Sequence, residues 1–392
     1  MMIVSDLPRK ECTGCGLCAT ICPVGAICME PDDEYGYLLP SVSKSCINCG
    51  KCVKVCPNIQ KDKKLHKPLK IYAAVRKDKR KLMDSSSGGI FAAVAEKCVD
   101  QGGWYITGCK LDEQFKPVMC ITNQKDELAK IYGSKYVQAS MGLVYTEVNS
   151  KLQQGYRVLF SGTPCQVSAM RRYTNDASNL YTIEVICHGV TNEKMFLSYL
   201  DMLDRTSLKK FTFRDKSQGW SYNNCMEYTN GKSLKINHRL NSYMTYYLKG
   251  EIYRDSCYEC NYAKELRGAD ITIGDFWGVA KKRPDLKSKI DMEKGVSCVL
   301  VNTEKGKQLF ENSLIDFWPV DYEDVKEGNG PLNCPSSHTR KREFILRTWK
   351  KNLDWKDVHE YWRKSDYRFT YRVWSLVPVK LQHFIRVVLG KR

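Results

Sequence analysis

The spacing of apolar residues predicts alternating strands and helices over most of the chain. Runs rich in β-branched and aromatic residues, which favour strands, lie at 104–111, 115–122 and 157–160. Patterns with apolar residues three or four positions apart, which favour helices, lie at 141–154, 192–205 and 241–249. We therefore class the fold as α+β, with a mixed α/β body that begins at residue 71. The pattern leaves a parallel and a mixed sheet open.

Three stretches outside the body have a different composition. Residues 61–70 contain five lysines and no apolar pattern, so we predict a solvated linker there. This linker separates a small N-terminal domain, 1–60, from the body, 71–335. A basic tail rich in aromatic residues follows at 336–392.

Two cysteine runs repeat in the N-terminal domain with an offset of 34 residues. Residues 12–23 and 46–57 both read C-x2-C-x2-C-x3-C-P. In bacterial ferredoxins this spacing binds two 4Fe-4S clusters, because three close thiolates hold one cluster and the fourth reaches the other. The predicted ligands of the first cluster, quartet one, are Cys12, Cys15, Cys18 and Cys56. Those of the second cluster, quartet two, are Cys22, Cys46, Cys49 and Cys52.

Zinc is the alternative for these runs, since C-x2-C pairs also suit a tetrahedral zinc site. A zinc site does not require a doubled four-cysteine run that ends in proline, so the spacing favours iron-sulfur clusters. A domain of this size buries little apolar surface, and we expect the clusters to serve as part of its core. Cys28 lies outside both runs, and we expect it to be a small buried residue.

Two polar turns with glycine precede apolar segments of the body. The first turn gathers hydroxyls and free amides at a predicted helix start, which suits either an anion or an ordinary helix cap. It consists of Ser86, Ser87, Gly88 and Gly89. The second turn suits a dinucleotide pyrophosphate beside a ring, or a simple turn, and consists of Gly133, Ser134, Lys135 and Tyr136. Neither turn matches G-x-G-x-x-G, so a Rossmann site is not supported.

Composition narrows the class of protein. The chain has 392 residues, enough for two or three domains, and it carries 19 cysteines and a formal net charge of +18. No apolar run is long enough for a membrane span, and the first ten residues lack the apolar core of a signal peptide. We therefore expect a cytoplasmic protein, in which clustered cysteines indicate metal or redox chemistry rather than disulfides.

The motifs of the body, taken in order, resemble a known family. They read SSGG at 86–89, GSKYVQ at 133–138, FSGTPCQ at 160–166, CHGV at 187–190, FRDK at 213–216, CYEC at 257–260 and ADITIGDFWG at 269–278. Together they resemble the beta subunit of the coenzyme F420 hydrogenase/dehydrogenase family, of the FrhB/FdhB type. The resemblance spans about residues 70 to 300 and is preceded by the dicluster ferredoxin module that is often fused to this family.

This resemblance implies an FAD-containing oxidoreductase body with an iron-sulfur cluster of its own. Such a body exchanges electrons between ferredoxin-type centres and a two-electron substrate. In some members the substrate is coenzyme F420, whereas in relatives such as the bacteriochlorophyll and chlorophyll reductases it is not. Similar proteins also occur among bacterial polysaccharide-synthesis functions. The resemblance further implies that both turns and Thr163, in FSGTPCQ, contact the FAD.

A third cluster is expected from four cysteines that lie in these family motifs. We call them the body quartet: Cys165, Cys187, Cys257 and Cys260. Each lies at a predicted strand end or turn, and the last two form a C-x2-C pair. Burial as small apolar residues is the alternative for each of them. A cluster here would link the ferredoxin module to the flavin, which accepts two electrons where each cluster carries one.

Four charged or titratable residues are further candidates. His188 follows a predicted ligand and is a candidate for proton donation or for a hydrogen bond to flavin or ligand. Lys216, Arg214 and Arg254 are candidates for holding phosphate or carboxylate groups, or are surface cations. We take His188 and Lys216 as the candidate catalytic residues.

The tail supplies more than half of the net charge. Residues 340–392 contain 15 Lys/Arg and 5 Asp/Glu, interleaved with aromatic and aliphatic residues. This pattern suits a helix on an anionic membrane surface or an acidic partner, or a helix packed on the body with its basic face in solvent. We expect no nucleic-acid binding, because no binding module accompanies the charge.

The sequence therefore predicts a cytoplasmic iron-sulfur flavoprotein reductase or dehydrogenase. Its expected partners are ferredoxin or another redox protein and a small two-electron substrate, with peripheral contact at the inner face of the membrane as a further option. The leading alternative is a non-catalytic electron-transfer subunit that feeds a partner enzyme. The sequence leaves the substrate and the direction of electron flow open.

Overall fold

A computed structural model of the chain describes residues 3–60, 64–311, 313–377 and 381. The described residues form a mixed α/β protein with a small N-terminal module. The helices are α1 (Leu17–Thr20), α2 (Lys51–Val55), α3 (Ile90–Asp100), α4 (Lys125–Ile131), α5 (Val144–Gln153), α6 (Pro164–Tyr173), α7 (Glu193–Met202), α8 (Ser242–Leu248), α9 (Val279–Lys282), α10 (Glu304–Glu311), α11 (Tyr322–Lys326), α12 (Lys341–Asn352), α13 (Trp355–Ser365) and α14 (Phe369–Leu376).

The strands include the three predicted from β-branched runs. They are β1 (Ile27–Pro31), β2 (Leu38–Val42), β3 (Lys70–Arg76), β4 (Trp104–Leu111), β5 (Pro117–Thr122), β6 (Arg157–Gly162), β7 (Leu180–Val185), β8 (Leu208–Thr212), β9 (Asn224–Tyr228), β10 (Ser233–Ile236), β11 (Ile271–Asp275), β12 (Ser297–Val301) and β13 (Ile315–Pro319). The helices predicted near 141–154, 192–205 and 241–249 are confirmed as α5, α7 and α8.

The sequence repeat of the N-terminal module is also a structural repeat. α1 and α2 each begin directly after a glycine in the left-handed conformation, Gly16 at φ 77° and Gly50 at φ 70°. A side chain is strained at such φ values, so glycine is the residue that lets each cysteine run turn into its helix. β1 and β2 pair antiparallel and complete the module.

Cys28 departs from its prediction. It lies on β1 and is exposed, whereas its neighbour Ile27 is buried. Successive residues of a strand point to opposite faces, and in this two-stranded sheet only one face covers the module's core. The expectation of a buried Cys28 was therefore wrong.

The body is built on one mixed sheet of eight strands. The strand order is β13-β3-β12-β11-β7-β6-β4-β5. β4, β6, β7 and β11 run parallel, and the remaining neighbours in this sheet pair antiparallel. The carboxyl ends of the four parallel strands therefore share one edge of the sheet. β3 runs in the same direction, since it is antiparallel to β12 and β12 is antiparallel to β11.

A second layer lies beside this sheet. β8, β9 and β10 form a three-stranded antiparallel sheet, and its residues share an aromatic-rich core with α7, α8, α12 and α13. Trp349, Trp355 and Trp362 from the predicted tail are all buried in this core. For α12 and α13 the structure therefore shows the packed alternative.

The predicted linker lies partly outside the described residues, which resume at Lys64. Lys64 forms an ion pair with Asp176 at 3.0 Å. The backbone of His66 exchanges two hydrogen bonds with Arg267, at 2.9 and 2.8 Å. The described part of the linker is thus attached to the body. Among the described helices, none has the length and apolarity that a membrane crossing requires.

Candidate functional site

A cavity of about 300 Å³ lies at the carboxyl edge of the parallel strands. The start of α6, which follows β6, brings Cys165 to it, the loop after β7 brings Cys187 and His188, and the end of β11 brings Asp275. Ligands of open α/β sheets commonly bind at this edge, because loops from neighbouring strands converge there. The topology thus explains how motifs far apart in sequence meet.

Both polar turns line the same cavity. All of their residues except Gly88 contribute to its wall, and Thr163 does so as well. The turns are joined directly, since the amide of Ser134 donates to Ser86 Oγ at 2.7 Å. Gly88, the remaining member of the first turn, does not line the cavity, and its amide donates to Ser297 Oγ at 3.0 Å. The ammonium of Lys135 donates to the carbonyl of Tyr132 at 2.8 Å, near the end of α4.

The start of α3 presents backbone donors to the cavity. The amides of Ile90, Phe91 and Ala92 have no acceptor among the described residues, and all three residues line the cavity. Gly89, which precedes the helix, provides no capping side chain. Amides at a helix start attract an anion, and the aligned dipoles of an 11-residue helix add to this attraction. The first turn therefore fits a phosphate or pyrophosphate group.

The body quartet is gathered on one side of the cavity, and all four of its members line the wall. Burial raises the pKa of Cys165 to about 12, and Cys257 and Cys260 contribute to the shift. Burial also raises the pKa of Cys187 well above its ordinary value, and the other three members raise it further. Thiols that influence one another in this way lie close together. They become stable as thiolates when a cationic iron core compensates their charge.

Within the described residues, no three His, Cys, Asp or Glu side chains converge on a point where a single metal ion would sit. A 4Fe-4S cluster has a different requirement, because each of its four irons takes a separate thiolate. The thiols must surround the cluster rather than touch one another. The grouping of the body quartet around a cavity fits this requirement.

Quartet one lies next to the body quartet. Burial raises the pKa of Cys15 to about 12, with contributions from Cys12, Cys165 and Cys56. Cys165 belongs to the body quartet, and Cys15 itself lines the cavity. Burial raises the pKa of Cys18, and the three other members of quartet one raise it further. The structure thus brings quartet one together and places Cys15 beside the body.

Quartet two lies toward the outer side of the module. Cys22 and Cys52 pack against a small apolar core that includes Cys18, whereas Cys46 is half-buried and Cys49 is exposed. None of the four lines the cavity. A cluster held by quartet two would therefore be the most accessible to a protein in solution.

Body side chains hold the cysteine loop of quartet one at four successive carbonyls. Arg254 donates to the carbonyl of Cys12 at 2.6 Å. Gln138 donates to the carbonyls of the next two residues, 13 and 14, at 3.0 and 3.2 Å. Tyr145 donates to the carbonyl of Cys15 at 2.9 Å. The module is therefore fixed on the body at the loop that would wrap its first cluster.

One wall of the cavity is aromatic and is supported by an ion pair. Arg214 binds both carboxylate oxygens of Asp275, at 2.9 and 3.1 Å, and also donates to the hydroxyl of Tyr136 at 2.8 Å. Its guanidinium lies over the ring of Tyr222 at 4.4 Å, and that ring lies 5.3 Å from Trp277. Arg214, a candidate for binding phosphate, is thus engaged by a carboxylate.

Sequence reasoning did not single out Asp275, Trp277, Tyr222 or Tyr247 as site residues, although all four line the cavity. The first two stand in the motif ADITIGDFWG at 269–278, and the position of Asp275 at the end of a strand was the available signal. The two tyrosines carried no motif.

The two candidate catalytic residues lie in different surroundings. His188 lines the cavity and is accessible through it. The enclosing protein nevertheless lowers the pKa of its imidazole, against the opposing effect of Asp275. Lys216 does not line the cavity. Its ammonium donates to the carbonyls of Leu82, Ser87 and Lys294 at 2.5, 2.9 and 2.8 Å, and burial lowers its pKa to about 8.

Two family models match the chain. Residues 155–317 match the C terminus of the beta subunit of coenzyme F420 hydrogenase/dehydrogenase, and residues 11–59 match a 4Fe-4S dicluster domain. These matches confirm the resemblance drawn from the motifs. The first includes the body quartet, and the second includes both cysteine runs.

Comparison with whole proteins adds similarity to solved structures. No curated protein matches the chain. Among solved structures, the chain is similar to one chain of the xenon-derivatised F420-reducing NiFe hydrogenase complex from Methanosarcina barkeri. The two are 18% identical with a TM-score of 0.45, over 76% of this chain and 94% of that chain.

Proposed function

We propose that the chain is an iron-sulfur flavoprotein oxidoreductase, because residues 155–317 match the C terminus of coenzyme F420 hydrogenase/dehydrogenase beta subunits and residues 11–59 match a 4Fe-4S dicluster domain. It passes electrons between ferredoxin-type clusters and a two-electron organic substrate, through FAD. The observation that carries the proposal is that both polar turns, the body quartet and Cys15 line one cavity.

FAD supplies the two-electron hydride chemistry when it is bound. The amides at the start of α3 would hold its pyrophosphate, with the hydroxyl of Ser86 and the second turn beside them. The aromatic wall, with Tyr136, Tyr222 and Trp277, provides apolar surface for a planar ring. Arg214 and Asp275 keep this wall in place. Thr163 lines the cavity beside the body quartet, with its hydroxyl 3.1 Å from Cys165 Sγ.

His188 is the residue best placed to handle a proton in this site. It lines the cavity beside Cys187, and the direction of its pKa shift favours the neutral imidazole, whose free ring nitrogen can accept a proton and, because the pKa is lowered, gives it up easily. Lys216 has another role in the proposal. By binding the carbonyls of Leu82, which precedes the first polar turn, and of Ser87 within it, Lys216 holds this turn in place.

Three clusters would form a series of one-electron carriers. Quartet two lies at the accessible side of the module, quartet one follows, and the body quartet lies at the cavity. We propose that an external redox protein, such as a ferredoxin, exchanges electrons at quartet two. Lys44, Lys51 and Lys54 are exposed on this side and form no ion pair within the described residues, so a partner with an acidic surface fits best. We place the protein in the reducing cytoplasm.

A second candidate function is an electron-transfer subunit that feeds a separate catalytic partner. The matched family consists of beta subunits, which favours this reading. One experiment separates the two. The protein is purified anaerobically, its iron and flavin are measured, and it is assayed alone with a reduced ferredoxin and two-electron acceptors that include coenzyme F420. Bound FAD with turnover supports the oxidoreductase. Clusters that become reduced without any turnover support the subunit, and a protein without iron or flavin contradicts both.

A further inference from the structure

Four arginines are almost fully buried in the described residues, and three of them contact a carboxylate. Arg76 pairs with Glu96, Arg214 pairs with Asp275, and Arg267 pairs with Glu184. The fourth, Arg254, is 2% exposed and makes no ion pair with any described Asp or Glu side chain.

Arg254 is held by neutral oxygen atoms. Its Nε donates to the carbonyl of Cys12 at 2.6 Å, Nη2 donates to the carbonyl of Leu38 at 2.6 Å, and Nη1 donates to Gln138 Oε1 at 3.2 Å. The loop of quartet one packs tightly on it, since a Cβ at Gly14 would lie 2.6 Å from Nη1. The guanidinium thus lies directly under the first cysteine run.

The same arginine lies beside the body quartet. Its carbonyl accepts a hydrogen bond from the amide of Cys257 at 2.9 Å, and Arg254 lines the cavity together with the four cysteines. Burial raises the pKa of Cys257, and the positive charge of Arg254 opposes that rise. One buried cation therefore contacts the backbone loop of quartet one and lies beside a thiol of the body quartet.

A buried guanidinium without a counter-ion is unfavourable. Removing an ion from water costs several kcal/mol even after the protein relaxes, and dipoles of neutral carbonyls offset only part of it. The missing negative charge is accounted for if clusters are bound. A 4Fe-4S cluster with four thiolates has a net charge of about −2 when oxidised and about −3 when reduced.

We propose that Arg254 is the shared counter-cation of the cluster in quartet one and the cluster in the body quartet. This inference rests on the proposed function, because it requires both clusters. Arg254 is a positioning residue: it fixes the loop of quartet one against the body, and its charge favours the reduced state of both clusters. Each cluster gains one electron on reduction, so a fixed neighbouring cation raises both reduction potentials. Quartet two, farther along the module, is not affected by it.

The test is a redox titration of the anaerobic full-length holoprotein, followed by electron paramagnetic resonance. In the variant Arg254→Gln, we expect the ratio of reduced to oxidised cluster at a fixed potential to fall about tenfold for quartet one and the body quartet. That corresponds to about 59 mV for a one-electron couple. The signal of quartet two should keep its potential. Arg254→Lys, which retains the charge but cannot span three acceptors, should shift the two potentials much less.

The control variant is Gln138→Ala. It removes hydrogen bonds to the same loop, and leaves the charge of Arg254 in place. We expect it to loosen the module without the tenfold change. Unchanged potentials in Arg254→Gln with full iron content would overturn the proposal, as would equal shifts in Gln138→Ala or in Arg254→Lys. If the wild-type protein itself lacks the body cluster, the proposed function fails before this inference is reached.

Discussion

The hydroxyl of Tyr145 donates to the carbonyl of Cys15 at 2.9 Å, which ties a helix of the body to a predicted cluster ligand of the N-terminal module. Tyr145 is fully buried in α5, so its hydroxyl is held in a fixed position. Burial raises the pKa of Cys15, and Cys165 of the body quartet adds to that rise. The proposed cluster of quartet one would therefore have the body quartet as its neighbour.

The first prediction concerns the body quartet. Replacing Cys257 and Cys260 by serine removes two of four ligands, and we expect loss of about four of about twelve irons per chain. The two clusters of the N-terminal module should remain visible by paramagnetic resonance, because their ligands are unchanged. Electrons should no longer pass from them to the flavin in rapid-mixing measurements.

Cys334→Ser is the control for this double variant, since Cys334 is exposed and lies outside every motif. It should leave iron content and flavin reduction unaltered. A double variant that retains full iron and normal flavin reduction would identify Cys257 and Cys260 as packing residues.

The second prediction concerns the flavin. Mass analysis of the released cofactor should find about one FAD per chain. In Ser86→Asp, a carboxylate lies beside the free amides of α3 and competes with the pyrophosphate, so flavin affinity should fall about tenfold or more. Equilibrium dialysis measures this change. Ser288→Asp, on an exposed turn away from the cavity, should bind flavin normally, and equal losses in both variants would argue against the assigned seat.

The third prediction concerns stability and pH. Burial alone would raise the pKa of Asp366, but hydrogen bonds from Lys249 and Lys341 outweigh it and lower the pKa to about 2. The contribution of a carboxylate with a depressed pKa is present at neutral pH and is lost only as the pH falls through the folded-state value. We expect Asp366→Asn to lower the free energy of unfolding by about 2 kcal/mol.

This loss should be constant between about pH 5 and pH 8, since the carboxylate stays ionised over that range. Urea unfolding followed by tryptophan fluorescence measures it. Glu360→Gln, which removes an exposed ion pair with Arg363, should cost less than about 1 kcal/mol. A loss that fades between pH 8 and pH 5 would contradict the depressed pKa of Asp366.

The fourth prediction concerns the redox partner. Replacing Lys44, Lys51 and Lys54 by glutamate reverses the charge around quartet two. We expect the rate of electron exchange with an acidic ferredoxin to fall at least about tenfold at low salt, and the difference to shrink as salt screens the charges. Lys281→Glu, which is exposed on the body, is the matched control. An equal effect of that control, or none for the triple variant, would place the contact elsewhere.

The fifth prediction concerns the tail. Phe369 and Val373 on α14 are 66% and 50% exposed and lie close to Arg368 and Arg372 along the chain. We predict that residues 366–392 bind an anionic membrane surface; of these, residues 378–380 and 382–392 lie outside the described residues. We expect the protein to co-sediment with anionic vesicles, because each basic residue near the surface contributes about 1 kcal/mol to binding. Salt should weaken this binding, and so should the double variant Phe369→Ser with Val373→Ser. Equal binding to neutral vesicles would reject this prediction.

Local patterns were enough to find the elements and the motifs. The strand at 104–111 and the helices near 192–205 and 241–249 follow from residue spacing alone. The cysteine runs likewise predict two clusters, because three of the four predicted ligands in quartet one and in quartet two are close together in sequence. Such features depend on contacts within a few residues, which a sequence displays directly.

Contacts between distant segments were not predictable in the same way. Nothing in the sequence near Arg254 indicates that it lies under the loop of Cys12, 242 positions away. The exposure of Cys28 depended on which face of β1 covers the core. The mixed character of the sheet depended on β5, β12 and β13, which run antiparallel to their neighbours. These arrangements are set by tertiary packing, for which a single sequence carries no local signal.

The hydrogen bonds that body side chains make to the carbonyls of residues 12 to 15 have a consequence for how fast the protein works. When an electron carrier is attached by a flexible arm, each transfer requires a diffusive encounter, and a viscous solvent slows that encounter. Here the donor and acceptor distances are set once, when the chain folds. The rate of electron transfer within the molecule should therefore be the same in water and in concentrated glycerol. Only the rate of encounter with the external redox partner should depend on viscosity.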